Sequence, residues 1–170
     1  MRLAALLLLV GATDAAASSA LAMDVSALTA ASSEVVRARV ASSRAEWSGD
    51  HRRIVTRVDL EVLESWKGLA VGRLTVLQPG GARDGLVQQV AGVAPLAPGE
   101  EVVLFLARSG PYHRVVGLAQ GVYRISRRPD AEAFPASLEG LDLVAPPGGV
   151  IAPRTTISLA RLRAQVEEGR

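Results

Sequence analysis

Two histidines, His51 and His113, carry the only imidazole groups of this 170-residue chain, which contains no cysteine. Imidazole and thiolate groups commonly bind zinc or act as bases and nucleophiles in hydrolases. His51 lies in the polar stretch GDHRR, His113 begins the stretch HRVVG, and no HExxH motif is present. We therefore expect both histidines to be solvent-exposed, and we predict no metal site and no cofactor.

Two serines lie close in sequence to a group that can act as a base. Ser48 precedes Asp50 and His51, but the GxSxG turn that exposes a nucleophilic serine is missing. Ser65 and Lys67 share the polar face of a predicted strand, where solvent keeps the lysine charged and useless as a base. The sequence therefore favours a protein that is not an enzyme, with no catalytic residues.

The turns QPGGARDG and PGEE contain groups that other proteins use for phosphate binding or acid–base catalysis. The first turn has neither a following helix nor a GK[ST] sequence, so it does not predict a phosphate site. Glu100 and Glu101 in the second turn are expected to be solvating charges. Phe, Trp and Tyr occur only twice each, which is few for the lining of a saccharide cleft.

Acidic and basic residues are mixed along the chain, which has 19 Lys plus Arg, 17 Asp plus Glu and a net charge of +2. Alternation places Arg57, Asp59 and Glu61 on one face of a predicted strand. It places Arg37 and Arg39 on one face of the strand before it. Such faces are typical of cross-strand ion pairs in water, so nucleic acid is not a predicted partner.

The N-terminal residues are typical of a secretory signal. Arg2 precedes an apolar run of eight residues, Leu3 to Val10, and small residues follow. This run is too short to span a bilayer core of about 30 Å, so we predict a cleaved leader, no membrane span, and export to the periplasm or the extracellular space. Cleavage after Ala22 is preferred because Asp24 and Ser26 are then available to cap the first helix. The stretch Ala15-Ala16-Ala17 fits the same small-x-small rule.

The stretch IVTRVDLEVLESWKG, residues 54–68, alternates apolar and polar side chains for longer than an ordinary strand. At about 3.3 Å per residue it would reach roughly 40 Å, about twice the usual length. A long bent strand can pair with different neighbours at its two ends, as in the small barrels of oligonucleotide/oligosaccharide-binding (OB) folds. Glu64 interrupts the apolar face where a bulge or bend would fall.

The remaining patterns complete a mainly β fold. A short helix is predicted over residues 24–32, and strands are predicted over 34–41, 73–78, 86–91, 101–107, 112–117 and 122–126. The run 101–107 is apolar throughout and predicts a central strand buried on both faces. Residues 42–53 are predicted to form a loop. A C-terminal helix begins at a cap, Thr156 or Ser158.

The predicted organisation is a leader over residues 1–22, an OB-like β-barrel over 23–128, a loop-rich extension over 129–156 and a helix over 157–168 packed on the same domain. The fold class is thus a small antiparallel OB-like barrel of five to seven strands, with a short N-terminal helix and a C-terminal helix.

A group of exported bacterial proteins is similar to this chain in six segments, which occur in the order VVRARV, SSRAEW, IVTRVDLEVLESWKG, LTVLQPGG, VAGVAPLAPGEEVVLFLAR and VVGLAQGVYRI. The resemblance covers residues 35–125 and implies an OB-like barrel similar to the N-terminal domain of tissue inhibitors of metalloproteinases. Some members of the group are encoded near secreted metalloproteases, which implies a protease as partner. Those inhibitors chelate the catalytic zinc through an N-terminal cysteine, and this chain has none.

Exposed tryptophan beside a basic residue is a frequent contact in protein interfaces. Trp47 and Arg44 lie in the predicted loop, and cleavage after Ala22 would make Met23 the mature N-terminus. We predict these three residues as partner contacts of an exported, non-catalytic binding module. Its expected partner is a protein, with a secreted protease implied by the resemblance. A saccharide- or polyanion-binding OB-type module is the alternative, and a hydrolase comes third.

Overall fold

The computed structural model describes residues 18–126 and 131–170, and the predicted leader residues 1–17 lie outside these ranges. The described chain is mainly β, as the sequence predicts. Its helices are α1 (Val25–Ala31) and α2 (Leu159–Glu168). Its strands are β1 (Ser18–Leu21), β2 (Glu34–Trp47), β3 (Ile54–Lys67), β4 (Arg73–Pro79), β5 (Gly81–Arg83), β6 (Leu86–Gln88), β7 (Glu101–Ser109), β8 (Tyr112–Val115), β9 (Val122–Ile125), β10 (Glu132–Pro135), β11 (Leu141–Val144) and β12 (Ile157–Ser158).

Both predicted helices form, and each begins at a polar cap. The Asp24 carboxylate accepts a 2.7 Å hydrogen bond from a backbone N–H in the first turn of α1. The Ser158 hydroxyl accepts one of 3.3 Å in the first turn of α2. Leu162 and Val166 on α2 are fully buried, so this helix docks by the apolar face that its sequence predicts. No helix in the described ranges is long and apolar enough to cross a membrane.

Eight strands form the main sheet, in the order β12-β10-β9-β7-β2-β3-β4-β8. Their pairings are antiparallel except for that between β4 and β8, which is a single parallel bridge from Val76 to His113. Strand β8 also pairs with β7. The five strands β2, β3, β4, β8 and β7 are therefore paired around a partial ring, and β9, β10 and β12 extend the sheet beyond it.

The two longest strands, β2 and β3, have 14 residues each, and β-bulges interrupt their pairing. Arg37 of β2 pairs with Glu64 of β3. The next residue, Ala38, pairs with Val62, which leaves Leu63 as an extra residue of β3. An extra residue shifts the alternation of faces by one position, so residues on either side of Leu63 exchange faces.

A second bulge lies in β2. Val40 pairs with Leu60, whereas Ser42 pairs with Asp59, and Ala41 is the extra residue. Before this bulge the even-numbered residues of β2 face the inside of the partial ring. After it they face the charged outer surface, where the Ser42 hydroxyl donates a 2.9 Å hydrogen bond to Asp59.

An apolar core lies on each side of the main sheet. The inner core fills the partial ring with aliphatic side chains that include Val36, Ala38, Val40, Val58, Leu60, Val76, Val102, Leu104 and Leu106. The outer core lies between the sheet and the two helices and includes Leu28, Val35, Trp66, Val103, Phe105, Tyr123, Leu162 and Val166. The side chains of β7 alternate between the two cores, which confirms that this strand is buried on both faces.

Two loop predictions are wrong in part. Residues 42–47 continue β2, because the Ala41 bulge breaks the alternation by which a strand is recognised. In the predicted loop-rich extension, residues 129–156, β10 pairs with β9 and β11 pairs with β1. Strands of four residues are too short to show a clear period. With β10 and β12 included, the main sheet has eight strands where the sequence predicts five to seven.

Replacement of Trp66 by alanine tests the outer core. Trp66 is 2% exposed, and its indole N–H donates a 3.0 Å hydrogen bond to Glu64. Loss of so large a buried side chain costs about 3–5 kcal/mol, and we expect Trp66→Ala to lower the free energy of unfolding in urea by that amount. Trp47→Ala, at a half-buried position, is the control with an expected cost of about 1–2 kcal/mol. Equal losses would contradict the assignment of Trp66 to a core.

Candidate functional site

Trp47, the first predicted contact residue, is the last residue of β2 and is half-buried. Its indole N–H donates a 2.7 Å hydrogen bond to Oδ2 of Asp84. Asp84 belongs to the turn between β5 and β6. The tryptophan therefore contacts its own chain and braces a hairpin, instead of lying in a loop as the sequence predicts.

Arg44 and Met23 do not share a surface with Trp47. Arg44 points to the opposite face of β2, where its guanidinium lies 3.9 Å from Asp59. Met23 lies at the start of α1 against the outer core, and its backbone N–H donates a 2.8 Å hydrogen bond to Gln120. The structure thus does not bring the three predicted contact residues together.

Strands β5 and β6 form a hairpin that packs across the ends of β2 and β3. Asp84 and Gly85 form its turn with φ angles of 51° and 78°, the positive values that two-residue hairpin turns require. At its base, a Cβ on Gly81 would lie 2.9 Å from the side chain of Ala45 and 2.8 Å from that of Thr56. The PGG sequence therefore has a packing role.

Leu86 and Val87 follow this turn on β6 and are 56% and 78% exposed. The side chain of Gln88, on the same strand, accepts a 2.9 Å hydrogen bond from the backbone N–H of Ile54, which connects β6 to β3. We call Trp47, Asp84, Leu86 and Val87 the hairpin surface. It combines aliphatic side chains that are exposed on the two opposite faces of the hairpin with an aromatic ring that is hydrogen-bonded to the hairpin turn. Exposed aliphatic and aromatic side chains are features of protein-binding sites.

The loop between β2 and β3 contains Ser48, Asp50 and His51. Ser48 Oγ donates a 2.6 Å hydrogen bond to Asp50 and accepts one from the backbone N–H of Arg53. The hydrogen bond from Ser48, followed by that from the Arg52 backbone, lowers the pKa of Asp50. His51 is exposed, as predicted, and the serine hydroxyl is directed at the acid instead of the imidazole. The three side chains therefore do not form a triad.

His113 is buried, which corrects the prediction that it is solvent-exposed. It is 7% exposed, and its Nε2 lies 2.9 Å from Oε2 of Glu34, which is 6% exposed. Neither imidazole nitrogen makes a hydrogen bond, so the alignment is poor and this is a close polar contact only. Arg108 lies 3.2 Å from the other carboxylate oxygen. The sequence misses this pair because no local pattern links residues 34 and 113.

The other residues that the sequence offers as catalytic candidates form hydrogen bonds with backbone groups or with neighbouring charged side chains. Lys67 Nζ donates a 2.6 Å hydrogen bond to the carbonyl of Thr29 in the last turn of α1, and Ser65 Oγ donates to the Lys67 carbonyl. Glu100 accepts a hydrogen bond from its own turn, and Glu101 accepts one from β2. Over residues 18–126 and 131–170, no three His, Cys, Asp or Glu side chains are grouped so that they could hold a metal ion.

Paired charges cover the outer face of β2 and β3, as the sequence predicts. Arg37 donates 2.6 Å hydrogen bonds to both Glu64 and Glu101. Hydrogen bonds from the Trp66 indole and then from Arg37 lower the pKa of Glu64 below its ordinary value of 4.5. Hydroxyl groups on β4 and β2 likewise lower the pKa of Asp59 below 3.8. These carboxylates are stabilised in their ionised form by folding.

Two cavities lie beside α2, and none of their bordering residues belongs to the hairpin surface. The larger, of about 650 Å³, is bordered by charges of both signs, including Asp24, Arg154, Arg161 and Glu168. The guanidinium of Arg154 lies 5.5 Å from the ring centre of Tyr123 and donates to two backbone carbonyls. The smaller, of about 550 Å³, lies between β3 and the start of α2. Neither cavity gathers groups of one charge that would indicate a ligand class.

Sequence reasoning identifies Trp47 but misses the rest of the hairpin surface. The Asp-Gly pair at positions 84 and 85 is a strong hairpin signal and would have located the turn. Nothing in the sequence brings this turn to Trp47, because the hydrogen bond between them spans 37 residues.

Acid titration tests the two carboxylates with lowered pKa. A lowered folded pKa contributes stability that is present above the unfolded pKa and is lost as pH falls through the folded value, so we expect the free energy of unfolding to decrease from about pH 5 to about pH 2. Glu64→Gln combined with Asp59→Asn should flatten this decrease in urea unfolding measured at each pH. Thr75→Val, which removes the first donor to Asp59, should flatten it in part. An unchanged profile in the double variant would contradict the assignment.

Comparisons with protein-family models and with curated proteins find no match to this chain. The resemblance to metalloproteinase-inhibitor domains therefore stays an expectation from sequence. Function has to be inferred from the contacts, exposure and charge of the described residues. Among these features, the hairpin surface gathers exposed apolar side chains on a braced element, and it is the candidate site.

Proposed function

We propose that this chain is an exported, non-catalytic module that binds another protein through its hairpin surface. The observation that carries the proposal is the position of Leu86 and Val87. These two exposed aliphatic residues lie on a hairpin whose turn accepts a hydrogen bond from the Trp47 indole. Exposed apolar side chains on an ordered element are typical of interaction sites. An element that is ordered before binding also reduces the entropy lost on association.

We further propose that the partial ring is an OB-like barrel, and its strand order supports this. Strands β2, β3 and β4 pair in succession, β7 returns beside β2, and β8 joins β7 to β4. A five-stranded ring with such a return connection fits the partly open Greek-key barrel of OB folds. The single bridge between β4 and β8 is its open seam.

The filled ring interior favours binding at the surface. The inner core consists of aliphatic side chains, and Leu60, Val76 and Leu104 are 0% exposed. A ring packed in this way leaves only loops, edges and the outer face for a ligand. Ser48 and Ser65, the nucleophile candidates from sequence, are occupied in local hydrogen bonds.

A secreted protease is the partner class that the sequence resemblance implies. The chain has no cysteine, so it offers no thiolate to a catalytic zinc, and any inhibition would have to use other contacts. The hairpin surface offers apolar side chains together with the edge strand β6, which pairs only with β5 among the described strands. Edge strands bind extended peptides by adding a strand.

The outer face gives little support to a saccharide or polyanion ligand. Its cations Arg37, Arg39 and Arg57 lie 2.6, 3.6 and 3.6 Å from carboxylate oxygens. Cations that are already paired contribute little to phosphate binding. The guanidinium of Arg57 also lies 5.1 Å from the ring centre of Tyr112 and covers a face that could stack on a sugar or base.

Aspartate at Leu86 and Val87 tests the proposed surface. The exported protein serves as bait for the secreted proteins of the organism that encodes it, and the captured partner is then titrated. We expect the Kd of the L86D/V87D variant to rise at least tenfold, which is about 1.4 kcal/mol. The matched control is L69D/V71D in the turn between β3 and β4, where the two aliphatic residues are 94% and 81% exposed. This control should bind as the wild type does.

Unchanged binding by the hairpin variant, or loss of binding in the control alone, would contradict the proposal. Retention of the protein on a polyanion resin with a steep salt dependence would favour the alternative ligand class. Both variants change exposed residues outside the two cores, and thermal unfolding verifies that they remain folded.

A further inference from the structure

Residues that precede α1 belong to the folded structure. Strand β1 pairs in parallel with β11 along all four of its residues. Backbone hydrogen bonds extend the pairing at both ends, from Ser18 N–H to the Gly140 carbonyl at 3.2 Å and from Ala22 N–H to the Val144 carbonyl at 2.8 Å. In the part of the chain that the structure describes, β11 pairs with no other strand, so loss of β1 would leave it unpaired.

The side chain of Gln120 forms hydrogen bonds with the backbone of the residues on both sides of Ala22. This side chain is 0% exposed. The Nε2 group donates a 3.0 Å hydrogen bond to the Leu21 carbonyl, and Oε1 accepts a 2.8 Å hydrogen bond from Met23 N–H. Cleavage after Ala22 would remove the Leu21 carbonyl and convert the Met23 amide into a charged amine. A buried donor that loses its partner then bears an uncompensated desolvation cost.

The partner strand β11 is itself fixed to the body of the protein. Leu141 is 6% exposed and packs so closely on Gly92 that a Cβ there would lie 2.9 Å from it. The Gly92 carbonyl accepts a 2.8 Å hydrogen bond from the N–H of Ala119, the residue before Gln120. Strands β1 and β11 and the turn that carries Gln120 thus form one connected unit.

We propose that the leader is cleaved between Ala17 and Ser18, so that β1 is the N-terminal strand of the exported protein. Ala15 and Ala17 supply the small residues that a leader peptidase recognises at this bond. The inference rests on the proposed export, and it replaces the cleavage after Ala22 that the sequence alone favours. Cleavage at the earlier bond retains the β1 pairing and both side-chain hydrogen bonds of Gln120.

The N-terminus of the exported protein tests this inference directly. The full chain is expressed with its own leader in a bacterial host, and the exported product is analysed by N-terminal sequencing and intact mass. A start at Ser18 is expected. A start at Met23, or at any other residue, overturns the inference while leaving export intact, and an uncleaved chain retained in the cytoplasm overturns both. Ala17→Leu should block processing, whereas Ala22→Leu should leave it unchanged.

Stability gives an independent readout of the same inference. Chains that begin at Ser18 and at Met23 are compared by urea unfolding, and the shorter chain is expected to have the lower midpoint. Gln120→Met should lower the midpoint of the longer chain more than that of the shorter one, because the shorter chain has already lost the Leu21 carbonyl. Equal midpoints for the two chains would overturn the assignment of β1 to the mature fold.

Discussion

The fold depends on bulges that change the facing of its two longest strands. A strand in simple alternation presents one set of side chains to one side of the sheet, but the extra residues Ala41 and Leu63 shift that alternation. Val58 and Leu60 of β3 therefore fill the inner core, whereas Trp66 of the same strand fills the outer core. One pair of long strands thus supports two cores, which supplies buried apolar surface to a chain that has no disulfide.

The same shift determines what reaches the surface. Beyond Ala41, Arg44 faces the paired charges of the outer surface, and Trp47 faces the β5–β6 hairpin and donates its indole N–H to Asp84. On the outer face, arginine side chains are already paired with carboxylates. The β5–β6 hairpin, by contrast, is hydrogen-bonded to Trp47 and exposes the apolar side chains of Leu86 and Val87. This contrast is the reason we propose a protein partner at the hairpin and not an anionic ligand on the outer face.

Local patterns in the sequence predict the elements whose signals are complete within one segment. The alternation of β3 as far as Val62, the apolar run of β7 and the capped apolar face of α2 are confirmed. The predicted continuation of that alternation to Trp66 is wrong, because the extra residue Leu63 places Trp66 on the other face. The sequence does not show that residues 42–47 form a strand, because a bulge breaks their period. The burial of His113 against Glu34 and the bracing of Trp47 also depend on partners far away in the chain. The candidate site is therefore predictable only in part: the sequence identifies Trp47 and contains the Asp-Gly hairpin signal at positions 84 and 85, but it does not show that the two are in contact.

Deletion of single residues of β3 tests most directly the facing that the bulge at Leu63 establishes. Ser65 pairs with Val36, whose side chain lies in the inner core, so deletion of Ser65 brings Trp66 opposite Val36 and directs its side chain toward a core that is already filled. Leu63 has no partner on β2, so its deletion keeps the pairing of the residues on both sides and leaves Trp66 on the outer side, and this variant is the control. We expect the Ser65 deletion variant to lose cooperative unfolding in urea, whereas the Leu63 deletion variant unfolds cooperatively. Cooperative unfolding of the Ser65 deletion variant with wild-type stability would contradict the account.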